Sequence, residues 1–445
     1  MSATADAPEW PPPAIGWYAV FVLTVAYVLS FIDRSILTLL VGPIRADLGI
    51  SDTQLSLLHG LAFAIFYTTL GIPVALLADR LNRRNIIAIG IAVWSIATAL
   101  CGLARSFWEL FAARVAVGVG EAALSPSAYS MIADLFAPQR LGRALAAYTL
   151  GAFAGAGAAY LIGSAVVGAV ADASAVVLPF VGEVRAWQLV FFIVGLPGVA
   201  VALWMLTVPE PSRRHAAPLG EGATIRGALR ACLAHMRLHW QTYTSHLAGF
   251  ALLGLVFNAA IAWMPSYLIR VFGQAPAQAG FAVGSVLLVF GTLGVLAGGW
   301  LTDRLGAHGH LDAAMRVGLL SAVCTVPFAV TATVVPVLSA GLALFCGLVF
   351  FTSMPFGAAA AAIQFVTPAR MRATVSSLYL CVLNLVGLGG GPTLVAVFTD
   401  YLFADDLALG RSLALASAIV SLPAIALFWW GLPHFRRAAA AARGD

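Results

Sequence analysis

The chain has 445 residues, 61% of them hydrophobic and only 10% charged, at a mean hydropathy of +0.95. Water-soluble domains carry about a quarter charged residues, and their cores split well before they hide this much apolar surface, so the solvent of this chain is lipid. The net charge of +5 comes from 24 basic residues, every one an arginine. Without lysine there is no P-loop phosphate cradle and no Schiff-base cofactor site, which leaves an ion gradient, and no cofactor, to drive any uphill work.

In chain order, the polar, proline-rich start (1–13) gives way to an apolar run too long for a signal peptide, which reads as the first membrane helix. At about 20 residues per crossing, the chain divides into twelve spans: 17–40, 54–78, 85–104, 108–133, 143–170, 186–207, 242–268, 279–301, 314–335, 338–365, 374–399 and 409–432. The fold class is an all-α integral membrane protein. Connections and tails on the side of the termini hold 17 arginines and those on the other side five (Arg45, Arg105, Arg185, Arg270 and Arg411), so both termini are expected in the cytoplasm. The connection 208–241 separates spans 1–207 from spans 242–445. Within it Arg226, Arg230 and Arg237 share one face of a helical pattern from Ile225 to Trp240, either an interfacial amphipathic helix or a solvated charged linker. The five cysteines are scattered without C-x-x-C spacing and read as small buried hydrophobes, with no metal site implied.

Two loop motifs recur. Asp79-Arg80-Leu81-Asn82-Arg83-Arg84 follows span two, and Asp303-Arg304-Leu305-Gly306 follows span eight, 224 residues on. Pro138-Gln139-Arg140-Leu141-Gly142-Arg143 follows span four, and Pro368-Ala369-Arg370-Met371-Arg372 follows span ten, 230 residues on. Two motifs at nearly one offset predict two six-helix bundles related by a pseudo-two-fold axis.

The pattern G-x-x-x-D-R-x-G-R-R after span two, R-x-x-x-G-x-G in span four and a glycine-rich fifth span resemble the major facilitator superfamily over nearly the whole chain. Ala75 and Asn82 replace two consensus glycines of the first loop, whereas Gly299 and Gly306 keep them in the second. Phe31-Ile32-Asp33-Arg34, Arg114 with Gly118, Gly120 and Glu121, and Asp79-Arg80-Leu81-Asn82-Arg83 are similar to the Spinster-like branch. The resemblance implies alternating access, often proton-coupled, with amphipathic lipid-like cargo in eukaryotic members. It also makes Asp79, Arg80, Arg83, Arg84, Arg140, Arg143, Asp303 and Arg304 parts of a cytoplasmic gate. Plain anchoring at the interface explains the arginines but not the two aspartates.

Four charged side chains fall inside spans away from their ends: Asp33, Arg34, Arg114 and Glu121. Each is costly alone in hydrocarbon, so they should face the bundle interior and pair. Arg114 and Glu121 share a face two turns apart, roughly 10 Å, and Asp33 and Arg34 point about 100° apart. The expected arrangement is Asp33 with Arg114, and Arg34 in one cavity with Glu121, the carboxylate expected to carry the proton. A static neutral network tying spans one and four together is the structural alternative. Tyr27 and Ser30 lie on the face of Arg34. His59 in span two is expected to be a satisfied buried imidazole, and the glycines of spans four and five to permit close helix approach.

Apart from Arg316 and Arg411 within their first turn, the last six spans carry no charge, and their interior amides are Asn258, Gln364 and Asn384. A cavity charged on one wall and apolar on the other suits an amphiphile, with its charged head near Arg34. The expected protein is a monomeric proton-coupled secondary transporter, multi-pass in a bacterial inner membrane. Its partners are protons, membrane lipids and an amphipathic small-molecule or lipid substrate, and not nucleic acid. The bacterial assignment rests on compact loops and arginine- and alanine-rich usage. Rival readings are an organic-anion or drug exchanger on the same fold, and a transport-inactive sensor or lipid scramblase.

Overall fold

The computed structural model describes residues 10–78, 81–171, 176–178, 182–213, 225–368 and 371–444. Among them, eleven helices are long and apolar enough to cross a membrane. The remaining span, the fourth, is split into Phe107–Glu121 and Leu124–Leu135. Its break has a covalent cause: Pro126 has no N–H to give to the carbonyl of Ala122. The last helix runs from Leu409 to Gly444, past its expected end, because the tail 438–442 is all alanine, the strongest helix former. The described part is otherwise helical except for one antiparallel hairpin after span five, Val176–Leu178 against Gly182–Val184.

Helix starts are encoded locally. Ser51 accepts from Gln54 N while Gln54 Oε1 accepts from Ser51 N, a reciprocal box opening span two. Asn82 accepts from Asn85 N at 2.9 Å and opens span three. The residue that departs from the loop consensus is therefore this helix's cap.

The repeat extends to the irregularities of the helices. Span two contains a π-helical turn at Leu57–Leu61 and span eight one at Leu287–Gly291. Span four is broken near Pro126, and span ten before Pro355. Span six is interrupted at Pro197, and span twelve carries Pro423.

Buried apolar side chains form one cluster in the first six spans around Trp94 and Tyr148, and a second in the last six around Phe250 and Phe428. A third joins the two halves through Ile36, Tyr160, Trp263 and Leu287. The joining contacts collect at the end of the bundle away from the termini. There Tyr160 donates to Ile261 O at 3.0 Å and receives from Thr38 at 3.1 Å. Gly157 of span five lies against the backbone of Leu288, where an added Cβ would sit 2.6 Å from its Cα, so only glycine permits that approach.

Candidate functional site

Span one, Pro13–Leu39, runs from the face of the termini, and spans two and four run back toward it. Asp33 and Arg34, about three-quarters along span one, thus come beside His59 of span two and the stretch of span four from Arg114 to Glu121. The structure brings all four intramembrane charges together.

Arg34 donates Nε to Glu121 Oε2 at 2.7 Å and Nη2 to the same oxygen. Its guanidinium carbon also lies 4.4 Å from the ring centre of Phe63, 5.2 Å from Tyr67 and 5.4 Å from Phe31, so π faces hold the cation on several sides. The Glu121 side chain is fully buried while that of Arg34 is 19% exposed, which makes the arginine the accessible member of the pair. Arg34 and Glu121 therefore share one site, as the pattern of the two helices implies.

Asp33 and Arg114 do not form the expected ion pair. Both are buried, but Arg114 Nη1 donates to the backbone carbonyl of Asp33 at 3.0 Å, and its Nε points at Leu58 O at 3.5 Å. Asp33 Oδ1 and Arg114 Nη2 have no hydrogen-bond partner, nor does Glu121 Oε1. The reason is helix phase: the Asp33 side chain leaves span one toward span three, and its carbonyl is what faces span four. Of the two carboxylates, Glu121 is the one bonded directly by an arginine, whereas the hydrogen bond from Arg114 goes to the Asp33 carbonyl. His59 departs from expectation too. It lies in the π turn, its Nδ1 buried without a partner, beside a small cavity lined by Thr38, Ser56 and Trp263.

The candidate cavity residues separate by depth. Tyr27 stacks on Tyr148 at 5.3 Å and leans on Phe31 at 5.1 Å, and Ser30 donates to Tyr27 O. Asn258 donates to Gly254 O within span seven, and Asn384 lies in the π turn Leu383–Gly390 of span eleven, both at mid-depth and half-buried. Gln364 is corrected by the structure: it is exposed at the terminal end of span ten, about 15 Å of helix beyond the break at Met354.

Of the loop motifs, Asp79 and Arg80 lie outside the described residues. Arg83 is a buried clamp, with Nη1 on Asp134 Oδ2 at 2.5 Å, Nε on Glu210 Oε1 at 2.8 Å and Nη2 on Pro211 O at 2.9 Å. Arg84 N donates to the other oxygen of Glu210. These bonds tie the starts and ends of spans three, four and six. The second half has the same joint with the charges inverted: Asp312, buried before span nine, accepts from Arg316 at 2.9 Å and from Arg436 beyond span twelve at 3.0 Å. Burial pushes the Asp312 carboxyl up, but the bonds from Arg316 and Arg436 outweigh it and hold the group below the usual carboxylate range. Arg140, Arg143 and Asp303 are exposed, and Arg304 is exposed against the Trp300 ring.

The opposite face is closed by groups the sequence reading did not single out. Arg270 at the end of span seven grips Asp52 at the start of span two through two 2.6 Å bonds. Arg45 reaches Asp406 at 2.8 Å, and Asp400 accepts from Thr53 N at 2.7 Å. Asp47 bonds Trp187 Nε1 and pairs with Arg185. A lone acid directly after a serine cap, Ser51-Asp52, was the one available signal.

A family model described as Major Facilitator Superfamily matches residues 23–392. An "MFS-type efflux pump" of Mycolicibacterium smegmatis is 30% identical over 434 residues, covering 96% of this chain and 94% of that protein. "Protein spinster homolog 1" of Xenopus tropicalis is 27% identical, covering 86% and 72%. The crystal structure of a bacterial homolog to the human lysosomal transporter Spinster, inward-facing and unoccupied, superposes with a TM-score of 0.77 at 26% identity, covering 98% of this chain and 99% of that one.

Proposed function

The chain belongs to the Major Facilitator Superfamily, within which it is Spinster-like, and from that premise we propose that it is a proton-coupled secondary transporter of an amphipathic anion, lipid-like or organic, in a bacterial inner membrane. The observation that carries this reading is the Arg34–Glu121 pair, a buried carboxylate bonded to a partly exposed, ring-caged arginine at mid-membrane.

An anionic head group reaching Arg34 competes with Glu121 for the same N–H donors. Once displaced, Glu121 is a buried carboxylate without its counter-ion, a state that costs several kcal/mol unless a proton neutralises it. Ligand binding and proton uptake are thereby linked at one arginine. Tyr27, Ser30, Asn258 and Asn384 line the path of the ligand, and spans seven to twelve, whose charges lie only near their ends, accept its apolar part. With both termini in the cytoplasm, as the arginine bias implies, the sealed face is periplasmic and the conformation is inward-facing. The Arg83 and Asp312 joints and the exposed Arg140, Arg143, Asp303 and Arg304 then lie at the cytoplasmic gate.

The test is flux into proteoliposomes with and without an imposed proton gradient, over a panel of lysophospholipids, sphingoid bases and small organic anions. Gradient-driven accumulation of an anionic amphiphile, lost in Glu121→Gln, is the expected result. The similarity to an efflux pump over nearly its full length favours a second reading, an organic-anion or drug exchanger. That reading is supported if a small organic ion without an acyl chain is the best substrate.

A further inference from the structure

Beside Asp47, Arg185 and Asp400, four charges close the face away from the termini, one arginine and one aspartate from each half. Arg45 and Asp52 belong to the connection between spans one and two and the start of span two. Arg270 and Asp406 belong to the end of span seven and the connection before span twelve. They form a closed ring. Two sides cross between the halves: Arg270 to Asp52 at 2.6 Å and Arg45 to Asp406 at 2.8 Å. The other two stay within a half: Arg45 to Asp52 at 3.2 Å and Arg270 to Asp406 at 3.9 Å. Asp52 is fully buried between its two arginines, whereas Asp406 is half-exposed.

We propose that this ring is a partner-exchange hinge of the transport cycle rather than a simple lock: Asp52, Arg270, Arg45 and Asp406 position the halves by trading cross-half pairs for within-half pairs as this face opens. An ordinary latch pair that separates leaves two desolvated charges without partners, which penalises opening heavily. Here each half carries its own neutralising partner already at or near contact distance, so separation leaves no charge alone. Local structure supports the within-half state independently. Asp52 lies in the first turn of its helix and Arg270 in the last turn of span seven, where the helix dipole favours each sign. The closed state keeps an advantage, because all four sides of the ring are present in it. The ring thus sets a finite bias between the two states. Neither substrate nor proton enters this argument, so it stands or falls separately from the function proposed above.

Charge reversal separates exchange from locking. Reversing one cross pair (Asp52→Arg with Arg270→Asp) preserves both cross-half attractions but places like charges within each half. The same holds for Arg45→Asp with Asp406→Arg, which alters the more exposed pair and is the gentler variant for folding. Opening is read as the rate at which a membrane-impermeant methanethiosulfonate, added to spheroplasts, modifies Ser56→Cys in a background without the five native cysteines. Ser56 is buried one turn below Asp52 and touches Thr393 across the seam at 3.4 Å. Like-charge juxtaposition costs several kcal/mol, so both double reversals should label at least about tenfold more slowly than the parent. Reversal of all four charges restores every attraction and should return the rate to within about threefold. Reversal within one half (Arg45→Asp with Asp52→Arg) sets like charges across the seam and should speed labelling. Parent-like labelling of the two cross-pair reversals, or a fourfold reversal that stays slow, would overturn the exchange and leave a plain latch.

Discussion

Replacing Glu121 with glutamine should tighten binding of an anionic amphiphile while removing its coupling to protons. In the parent protein the ligand must displace a carboxylate that takes two N–H donors of Arg34 at one oxygen, the Nε bond being 2.7 Å. Hydrogen bonds to charged groups are worth about 1.5–3 kcal/mol net each, and the incoming head group recovers only part of what it displaces. A glutamine keeps the shape but competes weakly, so an effective gain of about 1.4–2.8 kcal/mol, or ten- to a hundredfold in Kd, follows. Arg34 stays in place meanwhile, because Phe63, Tyr67 and Phe31 hold its guanidinium from three sides. The assay is fluorescence anisotropy of a labelled anionic lysophospholipid titrated with detergent-purified parent, Glu121→Gln and Arg34→Ala. Weaker binding by Glu121→Gln, or unchanged binding by Arg34→Ala, would refute competition at Arg34.

Arg83→Ala removes the buried clamp that bonds Asp134, Glu210 and the Pro211 carbonyl; a loss of about 3–5 kcal/mol of stability is expected on denaturation, and a loss under about 1 kcal/mol would mean the clamp is dispensable. Asp33→Asn should be nearly silent, within about 1 kcal/mol, because Arg114 bonds the carbonyl and not the carboxylate; a cost equal to that of Arg83→Ala would restore the salt bridge. Asp312 is held below its unfolded range, so its contribution is present above an unfolded pKa of about 3.9 and lost as the pH falls through its lower folded value. Thermal midpoints of the parent should therefore drop relative to Asp312→Asn as the pH is lowered below about 4, and parallel curves would show that the bonds from Arg316 and Arg436 add nothing.

Apolar length and the recurring loop motifs made the spans and the two-fold repeat legible, since bilayer thickness and positive-inside bias act on composition alone. The charged cluster was legible as a set, because Asp33, Arg34, Arg114 and Glu121 are expensive anywhere but the bundle interior. Which atom of Asp33 faces Arg114 was not, because it depends on the rotational phase of span one against span four, a property of packing. Pro126 carried the break of span four in plain view, but without a depth assignment it read as one more residue of an apolar run. The outer ring was hidden for a different reason: Asp52 and Arg270 are 218 residues apart and become partners only when the halves close. Gln364 failed because an amide in an apolar run says nothing of its depth, and span ten ends one residue beyond it.

The central claim is that one arginine links ligand to proton. The most direct test is proton movement itself, followed with an internal pH dye in proteoliposomes when an anionic lysophospholipid is supplied without any imposed gradient. The account predicts that the lumen acidifies as ligand enters in the parent, and that this shift vanishes in Glu121→Gln although the ligand still binds. Ligand flux without any proton signal in the parent, or an undiminished signal in Glu121→Gln, would contradict it.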